Sequence, residues 1–89
     1  MHPLQSLRAF VTVAREGSVS RAAIRLHLTQ PAVSLKLKQL QDELGLKLFL
    51  RKPQGLALTP DGQALLPPAE KALAAVAAFE QSARAMHST

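Results

Sequence analysis

The chain has 89 residues, 47% hydrophobic and 3% aromatic, with no cysteine and a formal charge of +5. That is one small domain with little room for a deep substrate pocket, and the lack of cysteine excludes a disulfide framework, a thiolate metal site and a cysteine nucleophile. The charge is uneven: residues 1–60 carry Arg8, Arg15, Arg21, Arg25, Lys36, Lys38, Lys47, Arg51 and Lys52 against Glu16, Asp42 and Glu43, whereas residues 61–89 carry Lys71 and Arg84 against Asp61, Glu70 and Glu80, so a polyanion is the expected partner of the front part alone.

Leu4, Leu7, Phe10, Val11 and Ala14 recur at helical spacings and predict an amphipathic first helix. Gly17 follows it, where a left-handed residue favours glycine. Ser18 is a candidate N-cap for a second helix, with Val19, Ala22, Ala23 and Leu26 on one face. The paired alanines allow another helix to cross closely. A third helix starts near Thr29-Gln30-Pro31, with Thr29 as cap and Pro31 in the first turn, where its missing N–H costs little. Its apolar stripe is Val33, Leu37, Leu40 and Leu44, and Gly45 ends it. Only His27 and Leu28, besides the capping residues, separate the second and third helices, which is the spacing of a helix-turn-helix unit.

After Gly45 the period changes. Leu46, Leu48 and Leu50 alternate with Lys47 and Phe49, and Leu56 and Leu58 flank Ala57, with the turn sequence Lys52-Pro53-Gln54-Gly55 between them. This predicts a short two-stranded ribbon. Thr59-Pro60-Asp61 then starts a last helix that runs to about residue 86. Leu65, Ala69, Ala72, Val76, Phe79, Ala83 and Met86 follow a heptad seam along it. The seam fits self-association; packing on the chain's own domain is the other reading. Pro67 and Pro68 interrupt it, and interior proline removes a hydrogen bond and clashes with the preceding turn, so a kink or a new helix start is expected there.

Enzymatic readings find no support. His2, His27 and His87 are scattered over three segments without a chelating pair. Asp42 and Glu43 are adjacent and diverge on a helix, and none of the glycines forms a phosphate-binding loop. No apolar run approaches the roughly 18 residues that span a bilayer. Met1-His2-Pro3-Leu4-Gln5 lacks the basic and apolar regions of a signal peptide. The expectation is a soluble, non-catalytic, mainly helical chain without a membrane partner.

The third helix is the most specific feature. Opposite its apolar stripe it presents Pro31, Leu35 and Lys38, flanked by Gln30, Ser34 and Lys36. Glutamine can pair bidentately with adenine, serine can reach several base edges, and lysine can reach guanine or phosphate, so this face suits a DNA major groove. Leu35 either contacts a thymine methyl or is an ordinary surface leucine.

Residues 4–62 resemble the N-terminal winged helix-turn-helix domain of LysR-type bacterial transcriptional regulators. The matching segments are Leu7-Arg8-Ala9-Phe10, Gly17-Ser18-Val19-Ser20-Arg21-Ala22-Ala23 and Leu26-His27-Leu28-Thr29-Gln30-Pro31-Ala32-Val33-Ser34. Leu40, Leu44-Gly45, Leu48-Phe49, Arg51, Leu58-Thr59 and Gly62 match as well. Residues 63–89 resemble the family's linker helix by position and period.

The resemblance implies a mainly α fold: a winged helix-turn-helix domain over residues 1–58, with three helices and a two-stranded wing, and a long linker and dimerisation helix over residues 59–89. It implies sequence-specific binding of double-stranded DNA by a homodimer at an interrupted dyad in promoter DNA, regulating transcription in the bacterial cytoplasm and nucleoid. Gln30, Pro31, Ser34, Leu35 and Lys38 would read bases. Ser18, Arg21, Arg25, Thr29, Lys36, Arg51 and Lys52 would hold the backbone, Arg51 matching an arginine of the wing that reaches the adjacent minor groove or the backbone, and the heptad seam would pair two subunits. No cofactor is expected in these residues; a small-molecule effector and tetramer formation belong to a C-terminal domain that this sequence does not include. RNA polymerase stays open as a further partner. Gln54, Leu35, Gln41, Asp61 and Ile24 depart from the family's usual residues, with Gln54 standing where a basic wing residue is common. The rival readings are a protein-interaction module with an incidental basic face, and a sequence-neutral nucleic-acid binder, which would call for stacking aromatics or a basic tail.

Overall fold

The computed structural model describes residues 3–87, so the reading of His2 lies outside the described residues. The elements follow the capping chemistry closely. Helix α1 (Pro3–Glu16) ends at Gly17, whose φ of 66° takes the left-handed position and whose N–H donates to the Val13 carbonyl at 2.8 Å. Ser18 Oγ accepts from the Arg21 N–H at 3.2 Å and starts α2 (Val19–Leu26). Thr29 Oγ1 accepts from the Ala32 N–H at 3.2 Å and starts α3 (Gln30–Leu44), which ends at Gly45 with φ 67°. His27 ends α2 at φ 56°, the one left-handed residue other than glycine among those described.

Three elements follow: β1 (Phe49–Lys52), β2 (Gly55–Leu58) and α4 (Pro60–His87). The strands pair antiparallel in the register Phe49 to Leu58 and Lys52 to Gly55, which leaves Pro53-Gln54 as the turn. The ladder is shorter than the alternating run Leu46–Leu50. Leu48 precedes it and is fully buried, its N–H donating to Gln41 Oε1 at 2.7 Å, while Leu50 is exposed.

Helix α1 is the axis of the core. Ala9, Phe10, Val11 and Val13 are buried among Ala22 and Ala23 of α2, Val33, Leu37 and Leu40 of α3, and Leu48. Phe10 meets Phe49 edge to face, with ring centroids 5.6 Å apart at 70°. The first half of α4 belongs to this same core: Ala69 is buried, and Leu65, Leu66 and Leu73 pack against it. Residue 58 therefore marks a change of element rather than a packing boundary.

The expected new helix start at Pro67-Pro68 does not occur, and α4 carries through both prolines as one helix. Both prolines are exposed, so the carbonyls of Gln63 and Ala64, which lose their helical donors, can turn to water. Leu65 and Leu66 before the pair, and Ala69 and Leu73 after it, are held against the core, and Arg15 Nη2 meets Glu70 Oε2 at 3.0 Å. Packing on both sides thus works against the roughly 3 kcal/mol that each of the two interior prolines costs. At about 1.5 Å per residue, α4 is about 42 Å long, and it sets the long dimension of a chain measuring 52 × 25 × 23 Å.

Candidate nucleic-acid interface

Burying Val33, Leu37 and Leu40 fixes the rotation of α3. At about 100° per residue, Gln30, Ser34, Lys38, Pro31 and Leu35 then fall on one continuous arc, and all five are exposed, Leu35 by 54%. The N-terminal end of this arc borders an open cleft of about 600 Å³ between α2, α3 and the wing. Its walls include Ser18, Ser20 and Arg21 on one side, Gln30 and Ser34 on another, and Arg51 and Gln54 on the third. Five residues singled out in the sequence (Ser18, Arg21, Gln30, Ser34 and Arg51) are thus brought together around one space.

Electrostatics favour an anion there. Among the described residues no ion pair engages the side chains of Arg21, Arg51 or Lys52. Glu16 also borders the cleft, but its Oε2 is 3.1 Å from Arg25 Nε. The Ser18 and Thr29 hydroxyls accept their capping N–H groups; the Thr29 hydroxyl keeps its own proton available for donation, while Ser18 Oγ also shares a hydrogen bond with Ser20 Oγ.

Other residues lie elsewhere. Lys36 is on the far flank of α3, half-buried, with Nζ donating to Gln5 Oε1 at 3.0 Å beside Arg8, Leu26 and Leu28. This corrects the placing of Lys36 beside Gln30 and Ser34: counted around the helix it falls beyond the buried stripe, not at the margin of the outward arc. Arg25 points to Glu16, and Lys38 Nζ is 2.7 Å from Asp42 Oδ2, one helical turn along on the exposed face. Lys52 is exposed next to the wing turn. Ser20 was not singled out in the sequence, although its position two residues after the Ser18 cap puts its Oγ 3.3 Å from Ser18 Oγ at the cleft.

The heptad seam divides. Leu65 and Ala69 face their own domain, Ala72 borders an apolar groove of about 330 Å³ with Leu7, Leu40, Leu44 and Pro68, and Val76 is half-buried. Farther out, Phe79 is 74% exposed and Met86 79%, with Ala83 exposed between them. Among the described residues no group of three or more His, Asp or Glu side chains is placed to hold a metal ion, and no helix is long and apolar enough to cross a membrane.

A helical core with a two-stranded wing, an exposed arc on the third helix and a basic cleft between helix and wing defines a winged helix-turn-helix domain. Residues 4–63 match the model of the bacterial regulatory helix-turn-helix proteins of the lysR family, and the chain belongs to that family. It is 54% identical over 65 residues to the HTH-type transcriptional activator AmpR of Providencia stuartii, covering 73% of this chain and 22% of that protein. It is 47% identical over 83 residues to the HTH-type transcriptional regulator CfxR of Cupriavidus necator, covering 93% of this chain and 26% of that protein. The chain therefore spans about a quarter of the length of these relatives. Among solved structures, the BenM DNA-binding domain in complex with catB site 1 DNA superposes with a TM-score of 0.90 at 32% identity, covering 100% of this chain and 99% of that one.

Proposed function

We propose that this chain binds double-stranded DNA sequence-specifically as a homodimer, at an interrupted dyad in promoter DNA, and so regulates transcription. The observation that carries the reading is the cleft in which Arg21 and Arg51 flank Gln30 and Ser34. Two exposed cations beside an exposed helix face suit phosphates on either side of a groove, with the polar groups between them facing base edges. Gln30 and Ser34 read bases, Pro31 and Leu35 contact the apolar edge of thymine, and Lys38 reaches a base or phosphate after leaving Asp42. Ser18, Arg21, Thr29, Arg51 and Lys52 hold the backbone. Arg25 and Lys36 have partners within the chain and act through the field they add. Likeness to a DNA-bound domain over the whole chain supports the same reading.

The dimer forms through the outer part of α4. Phe79 is too exposed to serve its own core, and the apolar groove beside Ala72 is a surface that a second copy can cover. In the whole protein, a further domain binds a small-molecule effector and builds tetramers. The protein works without catalysis in the bacterial cytoplasm at the nucleoid, where it meets RNA polymerase.

In vitro selection from random duplexes, followed by hydroxyl-radical footprinting, tests the proposal. The expected result is two protected half-sites related by a dyad and separated by about a whole number of helical turns. Protection of a single half-site, or no enriched sequence, would contradict it.

A further inference from the structure

Two segments that line the cleft meet through their backbones. The Leu56 N–H donates to the Gly17 carbonyl at 3.2 Å, tying β2 to the turn between α1 and α2. Gly55 lies against the same carbonyl, and a Cβ built on it would stand 2.6 Å from that oxygen, closer than real Cβ contacts come. The obstructing atom is backbone and cannot rotate aside. The φ of Gly55 is 132°, which L side chains rarely adopt. Gly17 differs: its φ is 66°, but its own Cβ would meet only the Leu56 carbonyl oxygen at 3.9 Å, an ordinary contact. Glycine at 17 answers a backbone conformation, whereas glycine at 55 also answers a close approach.

That approach is wired to both walls of the cleft. Leu56, which holds the tether, pairs directly with Arg51 across the ribbon. Gly17 is followed by Ser18, which caps the helix that carries Arg21. The tether thus ties the strand pair that carries Arg51 to the start of the helix that carries Arg21, on the two sides of the cleft that Gln30 and Ser34 also line.

We infer that Gly55 is a positioning residue for the DNA interface: by letting β2 close onto Gly17, it holds Arg51 in register with Gln30 and Ser34, so that wing and third helix engage one duplex together. Gly55 needs no contact with DNA; its contribution is that the wing arginine is set before binding rather than ordered during it. The inference rests on the DNA-binding reading above.

A double-mutant cycle on the selected duplex, read by fluorescence anisotropy, tests it. Arg51→Ala is expected to weaken binding by the parent protein about tenfold or more, the scale of one charge-assisted contact to phosphate. In the Gly55→Ala background the same substitution is expected to cost less than about twofold, because the wing already stands off the duplex. Gly17→Ala strains the same junction without a collision, and there the full effect of Arg51→Ala should persist. An equal effect of Arg51→Ala in the parent and Gly55→Ala backgrounds overturns the positioning role while leaving DNA binding intact. No effect in the parent removes the wing from the interface and the inference with it. If the parent does not distinguish its selected duplex from a scrambled one, the functional reading itself fails. Should Gly55→Ala not fold, amide exchange in the parent decides: the Leu56 N–H is expected to exchange as slowly as the amides of the ribbon ladder, and exchange at the rate of an exposed loop amide overturns the tether.

Discussion

Gly62→Ala sets two effects against each other, and the structure says which wins. Within a helix, alanine is favoured over glycine by about 1 kcal/mol, so propensity alone predicts a more stable protein. Gly62, however, is buried in the first turn of α4 against the Leu48 carbonyl and the Leu58 side chain. A Cβ there would collide with the Leu48 carbonyl oxygen and lie 2.9 Å from Leu58 Cδ2. Leucine can shift, but the carbonyl cannot, so α4 must move out. The same turn holds the buried Thr59, whose Oγ1 donates to the Lys47 carbonyl at 2.6 Å and accepts from the Gly62 N–H at 3.0 Å, while its own N–H donates to the Leu48 carbonyl at 3.0 Å. Overpacking against rigid structure costs about 1–3 kcal/mol, and loosening these bonds costs about 1–2 kcal/mol more. Less the propensity gain, the net loss is about 1–4 kcal/mol. For a domain of this size that lowers Tm by roughly 5–30 °C. Thermal unfolding followed by circular dichroism, at one fixed protein concentration because association shifts Tm, measures it. An unchanged or higher Tm would refute the steric argument.

His27→Gly should raise the urea midpoint, because the left-handed conformation at φ 56° costs a residue with a Cβ about 1 kcal/mol or more; a lower midpoint would show that the histidine side chain contributes more than its strain costs. Gln30→Ala should cost about 1–3 kcal/mol on the selected site and little on random DNA, whereas Lys52→Ala should weaken both alike and flatten the salt slope by about one unit. Equal weakening by Gln30→Ala on both duplexes, or an unchanged slope for Lys52→Ala, would remove each residue from its role. Phe79→Ala should raise the dimer dissociation constant about 30-fold, the scale of an aromatic anchor worth roughly 2 kcal/mol, in sedimentation velocity; an unchanged constant would place the interface elsewhere.

What was legible in the sequence was mostly local. Ser18, Thr29 and Gly45 announced their caps because capping depends on residues a few positions apart, and Val33, Leu37 and Leu40 announced the inward face of α3 by period alone. The sequence names Ser18, Arg21, Gln30, Ser34 and Arg51 one by one, and only the fold shows that they meet around one cleft. Interactions across the chain were not legible. No spacing rule pairs Lys36 with Gln5 or Arg25 with Glu16, so the sequence places both cations among the DNA-backbone contacts. The heptad pattern could not divide α4, since an apolar residue facing its own core reads like one facing a partner. Leu65 and Ala69 took the first role and left Phe79 exposed. Pro67-Pro68 reads as a kink or a new helix start because propensity is local, while the packing that carries α4 through the pair as one helix is not. The approach of Gly55 to Gly17 joins residues 38 positions apart, and nothing in either neighbourhood announces it.

The most direct test of the account is the affinity of this chain for its selected dyad against a scrambled duplex of equal length, measured by fluorescence anisotropy across a salt series. The account predicts a preference for the dyad of about 10³ or more, with affinity for both duplexes falling as salt rises. Equal, steeply salt-dependent binding to both would contradict it, because the arginines of the cleft would then supply charge while Gln30 and Ser34 read nothing.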